Sequence, residues 1–148
     1  MTMIKTPRDN SIGAQMHLAS QALRRRMHHR IHKLGYQCSM EQLSILEVLK
    51  FNGAMNMSEI AHALIKENAA ITRMVDVMEG RGLVERKSIA GDRRAKAIHI
   101  TKKGMGVFDD LIPKLVLELK EATSCITKEE YDEVVRIMKK IIKHNQGL

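Results

Sequence analysis

The stretch that decides the fold runs from Ile71 to Gly104, "ITRMVDVMEGRGLVERKSIAGDRRAKAIHITKKG". Its first part has a helical period: Ile71, Met74, Val75 and Met78 recur at spacings of three and four, which puts them on one buried face. Ala69, Thr72, Arg73 and Asp76 are left on the other face. After Gly80 and Gly82 the pattern changes to short alternating runs. "LVERKS" and "AKAIHIT" predict two strands around "IAGD", a hairpin attached directly to the preceding helix. Two arginines, Arg93 and Arg94, sit at its tip.

Upstream, "SEIAHAL" predicts a short helix from Ser58, separated by only a few residues from the helix that begins at Asn68. Two helices so joined outline a helix-turn-helix. Before them, "SMEQ" at Ser39 is a capping box, with Gln42 placed to reach back and Leu43, Leu46, Val48 and Leu49 following as a buried side. Further upstream, Ile12, Met16, Ala19, Leu23, Met27, Ile31 and Leu34 form a stripe about six turns long that opens at Ser11 and stops at Gly35. Downstream, Met105, Phe108, Leu111, Ile112, Leu115 and Leu119 form another stripe, in which Pro113 predicts a kink. "TKEE" at Thr127 caps a last helix carrying Tyr131, Val134, Met138, Ile141 and Ile142. The fold class expected is mainly α with a small β wing. Residues 37–101 would form a winged helix-turn-helix core, with dimerisation helices in 1–36 and 102–148. The terminal stripes are too extensive for the small middle section to cover, which predicts packing against a second copy.

Composition narrows the function. In 148 residues, 25 Lys and Arg face 17 Asp and Glu, and the net charge of +8 points to an anionic partner. No tail collects this charge. Its densest run lies between Arg86 and Lys103, where Arg86, Lys87, Arg93, Arg94, Lys96, Lys102 and Lys103 are opposed by Asp92 alone. No apolar run is long enough to span a bilayer, and "MTMIKTPRDNS" has no signal-peptide core, so no membrane partner and a cytoplasmic location are expected. Cys38 and Cys125, without a CxxC spacing, fit a reducing compartment. An enzyme is not expected: the carboxylates fall mostly on polar helix faces, and there is no Gly-rich phosphate loop or metal cluster. A helical protein-interaction module would explain the stripes and the charge, but gives no reason for a wing.

From Ile71 to Gly104 the chain resembles the core motif of MarR-type winged helix-turn-helix regulators. The resemblance is carried by Thr72-Arg73, by "GLVER", by the Asp-x-Arg of Asp92 and Arg94, and by the Ile-Thr-x-x-Gly of residues 100–104, with "MEQLSILEVL" and "MSEIAHAL" matching the two preceding helices. It implies a homodimer, joined through its first and last helices, that binds a roughly palindromic operator in double-stranded DNA as a transcriptional regulator. In the wing it implies that Asp92 braces Arg94, which enters a minor groove, while Arg93 and Lys96 meet phosphates; Arg86 and Lys87 complete the basic set. It also implies a small, often anionic aromatic effector, bound where the winged module meets the dimer helices.

The residues themselves support a recognition helix. Asn68, Ala69 and Ala70 are short enough for its N-terminus to approach base edges, and Thr72 and Arg73 supply a hydroxyl and a guanidinium fork. Asn68 is equally suited to be the N-cap. Cys38 stands directly before the helix capped by Ser39, where the positive helix end and basic neighbours could lower its pKa and make it a redox sensor; a small buried cysteine without a role is the alternative. His28 and His32, at i and i+4, make half of a metal site with His17 and Cys38 conceivably near, yet helical His pairs without a third ligand are more often surface residues. No metal and no cofactor are expected.

Overall fold

The computed structural model describes residues 10–146, with the side chains of Asp92, Arg93 and Arg94 excepted. The elements follow as α1 (Ile12–Lys33), α2 (Met40–Asn52), α3 (Met57–Ala63), α4 (Asn68–Gly80), β1 (Val84–Ile89), β2 (Asp92–Ile100), α5 (Lys102–Ala122) and α6 (Lys128–Asn145). Mainly helical with one small antiparallel sheet, this is the winged-helix order expected from the sequence.

Helix starts are set by local side-chain chemistry. Ser39 Oγ accepts the Gln42 N–H at 3.1 Å and Gln42 Oε1 accepts the Ser39 N–H at 3.2 Å, which closes the expected capping box on α2. Thr127 and Glu130 do the same for α6. The start of α3 differs from the sequence reading. Asn56, not Ser58, is its cap, with Oδ1 accepting the Glu59 N–H at 2.9 Å and Glu59 Oε2 accepting the Asn56 N–H at 2.7 Å. Ser58 thereby falls in the first turn, where its hydroxyl is free for α4. The α5 helix continues through Pro113, which lies on its exposed side and does not end it.

A single apolar core joins the helices and the wing. Ile45 and Leu46 of α2, Ile60 of α3, Ile71, Val75 and Met78 of α4, and Ile98 of β2 are fully buried, and Met27 and Ile31 of α1 pack with Phe108, Leu111 and Leu115 of α5 on the same cluster. In α2 the buried side includes Ile45, whereas Val48 is only half-buried against it. The burial of α1 stops short. Ile12 and Leu18, in its first half, are 62% and 57% exposed.

In the hairpin, Val84 pairs with Ile100 and the register holds as far as Ser88 with Lys96. It then shifts, so that Ile89 pairs with Asp92 and residues 93–95 lie between the two pairs as a bulge. The turn is thus Ala90-Gly91, with Gly91 at φ 89°, and β2 begins earlier than the alternating pattern of "AKAIHIT" implied. Met55, between α2 and α3, exchanges backbone hydrogen bonds with Ile98, at 2.8 Å to the Met55 carbonyl and 3.2 Å from its N–H, which ties the wing to the helical body.

The junction of β2 and α5 explains the Ile-Thr-x-x-Gly motif. Thr101 caps α5 through its Oγ1, which accepts the Gly104 N–H at 3.0 Å and donates to the Gly82 carbonyl at 2.6 Å. A Cβ at position 104 would stand 2.1 Å from the Leu83 carbonyl oxygen, so α5 can approach the connection between α4 and β1 only with glycine there.

Candidate nucleic-acid interface

The outward face of α4 carries the candidate recognition residues. Asn68, Ala69, Thr72, Arg73 and Asp76 are exposed while Ile71, Val75 and Met78 are buried, as the period required; Ala70 is half-buried. Asn68 is not the N-cap. Glu67 occupies that position without a side-chain cap bond, and the Asn68 amide reaches the Ser58 hydroxyl at 3.4 Å, a contact between the two helices of the helix-turn-helix. Nothing local to Asn68 signals this, because the partner comes from α3. Thr72 Oγ1 donates back to the Asn68 carbonyl at 2.9 Å, which leaves its methyl and oxygen lone pairs outward. Arg73 makes no hydrogen bond or ion pair among the described residues. An unpaired guanidinium on the free face of an amphipathic helix retains its full donor set for a base edge or phosphate.

Arg86 sits differently. Its guanidinium lies 2.5 Å from Asp76 Oδ1 and bonds Glu79 as well, while its backbone N–H donates to Glu79 Oε1 at 3.0 Å. Those carboxylates hold its charge in the ionised form; hydrogen bonding to Asp76 is the main cause of a raised pKa, with Glu79 adding to it against partial burial. β1 is therefore clamped to the recognition helix by the residue expected to touch DNA. The sequence reading did not single out Asp76 and Glu79 as the partners of Arg86, and an (i, i+3) acid pair is their only signal in the sequence. Lys87 pairs with Glu85 at 2.7 Å, and Lys96 donates to the Ser88 hydroxyl at 2.7 Å. Both are exposed on the wing. The side chains of Asp92, Arg93 and Arg94 lie outside the described residues, so the expected brace between Asp92 and Arg94 has no geometry to report; the backbone puts both arginines in the bulge.

Two sensing candidates also have definite places. Cys38 is buried, and burial pushes its thiol up to about 11, more than the nearby Arg81 and the Ser39 backbone pull it down. The expected lowering is reversed because desolvation of a thiolate outweighs one guanidinium and one helix end. His28 and His32 face one another with Nε2 atoms 3.1 Å apart. Neither His17 nor Cys38 joins them, and among the described residues no three His, Cys, Asp or Glu side chains converge.

The fold is that of a winged helix-turn-helix, with α4 as its second helix and the β1–β2 hairpin as a basic wing. The model of the MarR family matches residues 38–96. The chain is 28% identical over 123 residues to the HTH-type transcriptional regulator MhqR of Bacillus subtilis, covering 83% of each chain. To the regulator PecS of Dickeya dadantii it is 28% identical over 112 residues, 74% of this chain and 68% of that one. Among solved structures, a cysteine-to-serine mutant of Escherichia coli MarR complexed with operator DNA superposes with TM-score 0.81 at 22% identity, over 93% of this chain and 99% of that one. Bordetella bronchiseptica BpsR, whose structure concerns regulation of DNA binding by 6-hydroxynicotinic acid, gives 0.83 at 16% identity over 94% and 97%. The match to the MarR family spans residues 38–96, and the chain is a DNA-binding transcriptional regulator. These relatives are regulators rather than enzymes. Among the described residues, no helix is long and apolar enough to cross a membrane.

Proposed function

We propose that this regulator is a homodimeric repressor of a roughly palindromic operator, released by a small-molecule signal. The observation that carries the reading is the outward face of α4, where Arg73 is unpaired among the described residues, set beside a basic wing clamped by Arg86. In this reading Asn68, Ala69, Ala70, Thr72 and Arg73 enter the major groove, while Arg94, braced by Asp92, takes the adjoining minor groove. Arg93, Lys87 and Lys96 meet the flanking phosphates. Residues 37–101 act as the reading module, with 1–36 and 102–148 joining the copies.

Dimerisation is supported by the apolar surface left open at the chain ends. None of the α6 residues is buried, and Val116, Leu117, Ile126 and Tyr131 line an open cleft of about 730 Å3 between the end of α5 and the start of α6. Ile12 and Leu18 at the start of α1 are exposed as well, and apolar side chains left open at both ends of the chain are what a second copy would cover. The regulation of BpsR by 6-hydroxynicotinic acid supports a small anionic aromatic signal for this chain as well. Cytoplasmic location follows from the regulator's need to reach DNA.

Selection of bound sequences from random duplexes, together with sedimentation of the free protein, tests the reading. A palindromic consensus with half-sites about one helical turn apart, and a dimer in solution, are expected. A non-palindromic consensus bound by a monomer would refute it. Arg73→Ala is expected to lower operator affinity by about 10- to 100-fold, and Arg94→Lys not to reproduce Arg94.

A further inference from the structure

Helix α4 begins without the device its neighbours use. Ser39, Asn56, Thr101 and Thr127 each turn a side-chain oxygen onto a backbone N–H of the helix that follows. Glu67 holds the same position before α4, is exposed, and makes no such bond. Glutamate is not among the side chains that cap well, being one methylene longer than aspartate. The other acids of this part of the chain are occupied. Glu59 closes the capping box of α3, Asp76 and Glu79 hold Arg86, and Glu85 pairs with Lys87. Among the described carboxylates between Met57 and Ile100, Glu67 alone has neither a hydrogen bond nor an ion pair. Its position is also held against strain. Ile65, two residues earlier, keeps φ at 52°, and the Lys66 N–H then bonds the Ala61 carbonyl at 2.9 Å, which fixes where the chain enters α4.

Around Glu67 the head of the helix offers little else that can read a base. Asn68 is drawn to Ser58, and Ala69 and Ala70 carry no polar side-chain atom. Arg73, a turn further on, has donors only. An ionised carboxylate is the complement, an acceptor only. In the major groove the donors are the amino groups of cytosine N4 and adenine N6. Adenine sets its amino group beside the N7 acceptor, which repels a carboxylate, whereas cytosine presents N4 with no such neighbour.

We propose that Glu67 is a specificity-determining residue, its carboxylate accepting a hydrogen bond from the N4 amino group of one cytosine in each half-site. The assignment rests on the reading that α4 enters the major groove. Where no amino group meets it, the carboxylate faces only phosphates and base acceptors, so Glu67 acts chiefly by rejecting other sequences. A different account would make Glu67 a favourable charge at the positive end of α4 and nothing more. The two accounts part at Glu67→Asp. Aspartate keeps the charge and caps better, but it is shorter and its oxygen is taken up by the backbone.

Selection of bound sequences from random duplexes, run in parallel on wild type, Glu67→Asp and Glu67→Gln with a thermal melt of each, tests the assignment. Wild type is expected to select cytosine at one position of each half-site. Glu67→Asp should melt no earlier than wild type and yet lose that preference, with the rest of the consensus kept. Glu67→Gln should move the same position toward adenine, whose N6 and N7 match an amide, and should bind random duplex more tightly because a negative charge is gone. On two duplexes that differ only by cytosine or thymine at that position, anisotropy should show about tenfold discrimination by wild type and less than about twofold by Glu67→Asp. One consensus common to all three proteins, or a weakening by Glu67→Asp that is equal on every sequence, would overturn the proposal while leaving the reading of α4 intact. A wild type that selects no consensus would overturn that reading and the proposal with it.

Discussion

Replacing Arg86 by methionine separates two accounts of the wing. Its guanidinium spans Asp76 and Glu79 of the recognition helix, and its side chain is 24% exposed against 57% and 37% for the two acids. Fully solvated pairs are worth about 0.2–1 kcal/mol each, and these are partly solvated, so about 0.5–1 kcal/mol per pair is a fair scale. Methionine keeps much of the apolar stem, which confines the loss to the pairs: about 1–2 kcal/mol of stability, or a fall in Tm of roughly 3–6 °C for a domain of this size. Loosening of the wing against α4 should also weaken operator binding several-fold. The decisive quantity is the salt dependence. A residue that only positions the wing leaves the slope of log K against log salt unchanged. One that neutralises a phosphate takes about 0.9 from that slope, so the affinity ratio of variant to wild type would change about 3.5-fold between 50 and 200 mM salt. Thermal melting and fluorescence anisotropy on one operator duplex over a salt series measure both. Glu79→Gln adds a control, because simple charge counting makes it bind DNA more tightly, whereas loss of the clamp makes it bind more weakly and melt earlier. An unchanged Tm together with a shallower slope for Arg86→Met would refute the clamp.

Three further outcomes follow from the geometry. Gly104→Ala forces a Cβ to within 2.1 Å of the Leu83 carbonyl oxygen, and backbone must move to relieve it; a loss of about 2–3 kcal/mol in chemical denaturation is expected, and a neutral effect would contradict the close approach of α5 to Leu83. With the Cys38 thiol pushed up to about 11 by burial and Cys125 exposed, an alkylating reagent near neutral pH should modify one cysteine quickly, at position 125, and the second only on unfolding. Rapid labelling of Cys38, or peroxide-dependent loss of DNA binding abolished by Cys38→Ser, would restore the redox reading. Ile65 holds φ at 52° in the turn between α3 and α4, a conformation costly for a β-branched residue, so Ile65→Gly should gain about 0.5–1 kcal/mol; destabilisation would show that its side chain is needed there.

Most of the architecture was readable in one dimension because the forces that set it are short-range. The capping boxes of α2 and α6 join groups three residues apart, and the buried face of α4 follows from a period of 3.6 residues. Thr101 and Gly104 mark the entry to α5 for the same reason. The start of α3 is instructive: the sequence pattern begins the helix at Ser58, and the geometry caps it two residues earlier at Asn56. What depended on the folded chain was every property set by a distant partner. Ser58 draws Asn68 away from capping, Asp76 and Glu79 turn Arg86 inward from the DNA face, and the bulge opposite Ser88 and Ile89 carries Arg93 and Arg94. Cys38 shows the reason most plainly. A helix end and basic neighbours, visible in the sequence, would lower its pKa, but the packing of α1 and α2 around it removes water, and desolvation of a charge depends on everything nearby in space rather than on anything nearby in the chain.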